Sequence, residues 1–188
     1  MKQIYCLFIF AISFTTLQSC NNRKQTENQS PDSSNVATDS APATSPEVPI
    51  SPRLAELGLT ADSDWRGISL GDDFSKVKAT EKGESFESDA KHVGYTLELK
   101  ELETVDMLYY QAGQKVSAID VDLFLNSREA VTEFQKDLTT YFTARYGTPK
   151  SDKNGNSWSS SGTFVTLKDV SKGKDFGLKI NMLPSSGA

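Results

Sequence analysis

Two cysteines and one histidine are all that 188 residues contain, and the formal net charge is -5. So few sulfur and imidazole groups exclude a disulfide framework and a zinc-finger cluster, and they leave little room for histidine-based catalysis. Net acidity removes the positive field that nucleic-acid binding requires, so no nucleic-acid partner is expected. No apolar run reaches the length of a membrane span. The hydrophobic fraction, 37%, is low for a compact domain of this length and points to a diluting segment.

That segment, Asn21 to Pro52, follows an apolar opening. Met1-Lys2-Gln3 is a short positive start, and Ile4 to Leu17 is mainly apolar. About fourteen residues at 1.5 Å rise reach roughly 21 Å, short of the ~30 Å hydrocarbon core, which favours a signal-peptide core over a spanning helix. The run ends in Leu17-Gln18-Ser19-Cys20. This resembles the lipobox of bacterial lipoproteins. The resemblance implies cleavage before Cys20, a diacylglyceryl thioether on its sulfur and fatty acylation (palmitate) of the new amino terminus. An ordinary signal peptide with a chance cysteine is the alternative. Asn21 stands where the Gram-negative pattern has aspartate for inner-membrane retention, which implies a lipid anchor in the outer membrane of the cell envelope. Cys6 then leaves with residues 1–19, and the mature domain has no thiol for a nucleophile or a metal.

Residues 20–52 read as the lipidated cysteine and a disordered tether. From Asn21 to Pro52 there is no aromatic and no glycine, while Pro31, Pro42, Pro46, Pro49 and Pro52 are five of the seven prolines. Such a composition buries too little apolar surface to offset ordering entropy. As a coil it spans roughly 30 Å. Asp39-Ser40-Ala41 resembles an O-glycosylation tripeptide of exported Gram-negative proteins, with a plain linker as the alternative.

Residues 53–188 read as one domain. Ser51 and Pro52 open a short helix with Leu54 and Leu57 on one face, closed by Gly58. Trp65 to Leu70 is expected as a strand, and Asp72-Asp73 as the cap of a helix from Phe74 to Glu81. Strands are expected around Tyr95–Leu99, over Val105–Gln111, and over Lys115–Leu125 after a turn at Ala112-Gly113. A phase change between Val116 and Ile119 predicts a β-bulge near Ala118. Val131, Phe134, Leu138, Tyr141 and Phe142 recur at helical spacing over Ser127–Tyr146, with Asn126 and Glu129 as a capping box and Gly147 as the stop. Trp158, Phe164–Val170 and the alternating Phe176, Leu178, Ile180 and Met182 are the remaining strand signals. The expected fold class is α+β: an antiparallel β-sheet meander with one long amphipathic helix on one face and short N-terminal helices.

No catalytic, cofactor or metal residues emerge. His92, in the charged stretch Asp89-Ala90-Lys91-His92, reads as a solvated surface histidine rather than a triad member. Asp120 and Asp122 share one strand face and suit a hard cation, but equally suit the wet side of a half-buried strand. Asp152-Lys153-Asn154-Gly155-Asn156 has its glycine at the wrong position for an EF-hand and reads as a turn. The aromatic rings of Trp65, Trp158, Tyr109 and Tyr110 offer stacking surfaces, of which Tyr109, Tyr110 and Trp158 are the binding-surface candidates. Tyr109 and Tyr110 are adjacent and so face opposite ways on a strand.

Gly67-Ile68-Ser69-Leu70-Gly71 followed by Val77, with Tyr146-Gly147-Thr148-Pro149 and Trp158, resembles small exported bacterial α+β domains. The Leu-Gly element before a short helix is similar to the opening of the small lipoproteins of the outer-membrane assembly machinery and of β-lactamase-inhibitor-like domains. The resemblance implies a non-enzymatic, protein-binding role. The expectation is therefore an envelope lipoprotein held to the membrane through Cys20, a non-catalytic binding or scaffolding module for an envelope protein or glycan. A glycan hydrolase using carboxylates such as Glu98, Glu101 and Glu103, or a purely structural envelope protein, are the alternatives.

Overall fold

The computed structural model describes residues 48–160 and 162–185. The expected signal peptide, Cys20 and the expected tether up to residue 47, with Asp39–Ala41, lie outside the described residues.

The chain opens with α1 (Pro52–Glu56). The Ser51 hydroxyl accepts from the Leu54 amide, proline holds the first turn, and Gly58 (φ 74°) leads the chain away. Val48 already packs against the core, so the packed unit includes residues that the composition assigns to the tether. Trp65 to Leu70 is not a strand. Trp65 and Ile68 exchange backbone hydrogen bonds of 2.9 and 2.8 Å across Arg66 (φ 50°) and Gly67 (φ 82°), the left-handed pair of a tight hairpin turn. Both apolar side chains are still fully buried. The next helix, α2 (Ser75–Thr80), is shorter than 74–81. Asp72 does not cap it; its carboxylate accepts from the Ser69 amide and the Lys76 ammonium instead.

Four strands follow: β1 (Ser85–Ser88), β2 (His92–Glu98), β3 (Thr104–Ala112) and β4 (Lys115–Leu125). The β3–β4 turn falls at Gly113-Gln114, where both φ angles are positive, one residue after the expected place. Pairing jumps from Tyr110–Ala118 to Gln111–Val116, so Ser117 is the extra residue of a bulge beside Ala118. That bulge lets Val116 and Ile119 both face inward despite their opposite parity.

Helix α3 (Arg128–Tyr146) is capped by Ser127, whose hydroxyl accepts from the Ala130 amide, not by Asn126. Asn126 turns aside to Glu101, and Glu129 remains in the first turn, where its charge suits the helix amino terminus. After Gly147 come β5 (Lys150–Asp152), β6 (Gly155–Ser160), β7 (Thr163–Asp169) and β8 (Phe176–Pro184).

Among the described residues these form one eight-stranded antiparallel sheet in the order β1-β2-β3-β4-β8-β7-β6-β5. This corrects the single meander: two four-stranded meanders meet where β4 pairs with β8, because α3 carries the chain from β4 to the far edge before it winds back. The fold is mostly sheet, with a few helices. One apolar cluster joins alternate strand residues such as Val105, Met107, Val121, Leu123, Ile180 and Val165 to Leu54, Trp65 and Val77. Val131, Phe134, Leu138, Tyr141 and Phe142 of α3 are buried in the same cluster.

Candidate binding surfaces

Two buried polar networks fix the 57–81 region. Arg66 grips Glu81 with Nε and Nη2 at 3.0 and 3.1 Å, while its Nη1 donates to the Leu57 carbonyl at 2.7 Å. The Tyr109 hydroxyl donates to Glu81 Oε1 at 2.6 Å. Burial, reinforced by the Glu81 charge, holds the Tyr109 phenol well above its ordinary pKa. In the second network Asp64 accepts from the Leu70 amide and the Tyr146 hydroxyl, with Arg145 3.8 Å away. Burial and Asp64 push the Tyr146 phenol up as well. Both carboxylates have their oxygens engaged, so each network holds loops in place rather than presenting a reactive group.

Two of the three aromatic binding candidates are interior. Tyr109 is fully buried, and Trp158 is enclosed, its indole Nε1 donating to Thr143 Oγ1 and its ring 5.3 Å from that of Phe142. Neither offers an exposed ring. Tyr110, of opposite parity, is half-buried on the other sheet face, with the His92 ring 5.4 Å away.

His92 is not a solvated loop residue. It begins β2, its side chain is 15% exposed, and Nε2 and Nδ1 lie 2.6 and 3.1 Å from Glu87 and Asp89. With both ring nitrogens against carboxylates, it has none free to serve a nucleophile. Asp122 pairs with Lys179 at 2.8 Å, and Asp120 accepts from Asn181 at 2.8 Å. Asp152 accepts from the Asn154 amide in the β5–β6 turn. No group of three histidine, cysteine, aspartate or glutamate side chains able to hold a metal occurs among the described residues.

Glu101 and Glu103 do meet other acids. Together with Glu56, Glu129 and Glu133 they line a cleft of about 430 Å³ between α1, the 99–103 turn and the start of α3. Arg53 pairs with Glu133 and Lys100 with Glu56, while Glu101 and Glu103 hold Asn126. Glu98 ends β2 and is exposed outside this cleft. Glu101 and Leu102 are both left-handed (φ 57° and 63°), and Leu102 is 99% exposed. A second groove, about 610 Å³, runs between Val48–Leu54 and the Lys136–Thr140 stretch of α3. Nothing in the one-dimensional pattern announces the cleft, since its acids come from three separate segments joined only by packing.

Compared with family models, curated proteins and solved structures, the chain has no match in any of the three.

Proposed function

We propose that this protein is a lipid-anchored envelope lipoprotein whose folded domain binds or scaffolds an envelope partner and performs no catalysis. The anchor reading rests on Leu17-Gln18-Ser19-Cys20 after a short apolar run, with Asn21 favouring the outer membrane. Two or three acyl chains hold such a domain at the bilayer where one holds it only marginally. The domain is read as a sheet with the long amphipathic α3 on one face, leaving the other face for contact.

The observation that carries the binding reading is how the polar side chains are engaged. Glu81, Asp64, Asp120, Asp122 and His92 are each occupied by neighbours within the fold, while apolar Phe86, Leu102, Phe124 and Leu183 are exposed. Exposed apolar groups among satisfied polar ones suit association better than chemistry. The decisive experiment is fractionation with labelled fatty acid: the wild-type chain should label and sediment with membranes, and Cys20→Ala should do neither. A Cys20→Ala chain that is processed normally and still sediments with membranes sinks the anchor.

The carboxylate-lined cleft supports a second reading, a glycan hydrolase. Glu101→Gln with Glu103→Gln would then abolish release of soluble fragments from purified envelope glycan; no release by the wild-type chain removes this reading.

A further inference from the structure

The sheet's outward face carries an arrangement that the isolated domain does not explain. In antiparallel pairing, residues directly opposite each other project to the same face. Asp106 lies directly opposite Asp122, and Lys168 directly opposite Lys179. Asp122 in turn pairs with Lys179. One row across four strands therefore reads Asp106, Asp122, Lys179, Lys168, acids in the first meander and bases in the second. Each half sets like charges side by side, which is destabilising in a lone sheet. Asp106 is bonded only by Thr96, and Lys168 makes no ion pair among the described residues.

Apolar groups flank this row on both sides along the strands. Phe124 (52% exposed) and Val170 (43%) lie on one side; Leu183 (43%), half-buried Phe164 and half-buried Tyr110 lie on the other. We infer that this face docks on the same face of a second copy of this chain, about a two-fold axis running along the β4–β8 junction.

The axis follows from the row. It sets β4 of one copy over β8 of the other and β3 over β7, with height along the strands unchanged. Asp122 then faces Lys179 and Asp106 faces Lys168 across the interface, twice each. In the same superposition the Phe124 ring falls over Gly177, which has no side chain, and Tyr110 falls over Phe164. An in-plane axis perpendicular to the strands through the row would instead set each residue of the row over itself, Asp122 on Asp122 and Lys179 on Lys179. The inner six strands, at about 4.8 Å spacing and ~3.4 Å per residue, give a face of roughly 700 Å². That is close to the ~800 Å² per partner of a stable interface. Stacked sheets aligned within about 30° accommodate the twist. The inference goes beyond the anchored-module reading and does not depend on Cys20.

The test uses the full chain in detergent solution and measures its mass by sedimentation equilibrium across protein and salt concentration. The wild type should be dimeric and should dissociate more readily as salt rises. Lys168→Asp or Asp106→Lys alone should weaken association by about tenfold or more, because like charges then meet across the interface. Within one copy, each reversal replaces a like-charge neighbour by an opposite one, so the fold should be no less stable, and thermal melts would separate lost association from lost folding. The two reversals together should restore most of the affinity. Asp106 and Lys168 of one copy are three strand spacings apart, about 14 Å, beyond the ~8 Å screening length at physiological salt. Restoration can therefore come only from contact between copies. A wild type that stays monomeric up to about 100 μM overturns the inference. So does a double variant as weak as either single, including the case in which a different protein occupies this face.

Discussion

Tyr109, on β3, donates its hydroxyl hydrogen to Glu81 at the end of α2, 2.6 Å away and 28 residues distant in sequence. The same carboxylate holds Arg66 of the hairpin turn, so one buried acid joins the sheet, a helix end and a loop.

Removing one partner should expose the cost of that arrangement. Tyr109→Phe leaves Glu81 with Arg66 and should destabilise the domain by about 1–3 kcal/mol. Glu81→Ala strands both Arg66 and the phenol and should cost more than Tyr109→Phe. Urea unfolding of the two variants gives the order directly; equal costs would mean that the phenol, not the ion pair, organises the site.

Stability should also fall in alkali. The Tyr109 and Tyr146 phenols both have folded pKa values raised above the unfolded value near 10, Tyr109 by burial and Glu81, Tyr146 by burial and Asp64. A raised pKa means that the folded state holds its proton more tightly. The contribution is complete below pH ~10 and disappears as pH climbs toward the folded values. Melting temperature measured from pH 8 to 11 should decline at the upper end, and Tyr109→Phe with Tyr146→Phe should flatten that decline.

Phe134 and Leu138 are buried on α3, Phe134 beneath the Arg53 guanidinium at 4.8 Å. Truncating either to alanine should cost about 2–5 kcal/mol. A domain of this size has only ~5–15 kcal/mol in total, so Phe134→Ala should visibly raise the unfolded fraction. Asp122→Ala, which removes a partly exposed ion pair with Lys179, should stay within about 1 kcal/mol at low protein concentration. Thermal melts compare the three; an Asp122→Ala loss as large as that of Phe134→Ala would refute the assignment of that side chain to the wet face.

Two glycines should behave differently. Gly155 has φ 115°, and a Cβ there would sit 2.2 Å from the Leu167 carbonyl, which is backbone of the neighbouring β7 and cannot retreat. Gly155→Ala should cost about 2 kcal/mol or more. At Gly94 the obstacle is the Phe86 ring at 2.6 Å, a half-exposed side chain that can swing into solvent. Gly94→Ala should cost less than about 1 kcal/mol and show itself as faster amide exchange in β1.

The elements legible in the sequence are those set by local physics. Ser51, Pro52 and Gly58 bracket α1, the runs Val105–Gln111 and Lys115–Leu125 mark β3 and β4, and alternation marks β2 and β8. The stripe Val131–Phe142 located α3, and the parity break between Val116 and Ile119 located a bulge to within one residue. Strands β1 and β5 escaped because all their residues are exposed and carry no alternation. Trp65–Leu70 misled because two apolar residues spaced three apart fit a strand edge and a two-residue turn equally well. Both Asn126 and Ser127 can accept the capping hydrogen bond; in the fold Ser127 caps, while the Asn126 side chain donates to Glu101.

What the sequence determined by itself is what depends on neighbours along the chain: the short apolar run from Ile4 to Leu17 that precedes Cys20, the proline-rich stretch after it, and the periods of the helices and strands. The tertiary structure alone decided strand order, because β4 and β8 are separated by α3 and three strands, and their pairing is selected by which faces can be buried together. It also decided that Tyr109 and Trp158 are interior, since an aromatic side chain is amphipathic enough for either environment and the surrounding packing chooses. The carboxylate cleft and the Asp106–Lys168 row belong to the same category. Both are made of residues whose charges are written in the sequence, but whose adjacency exists only once the two meanders have closed side by side.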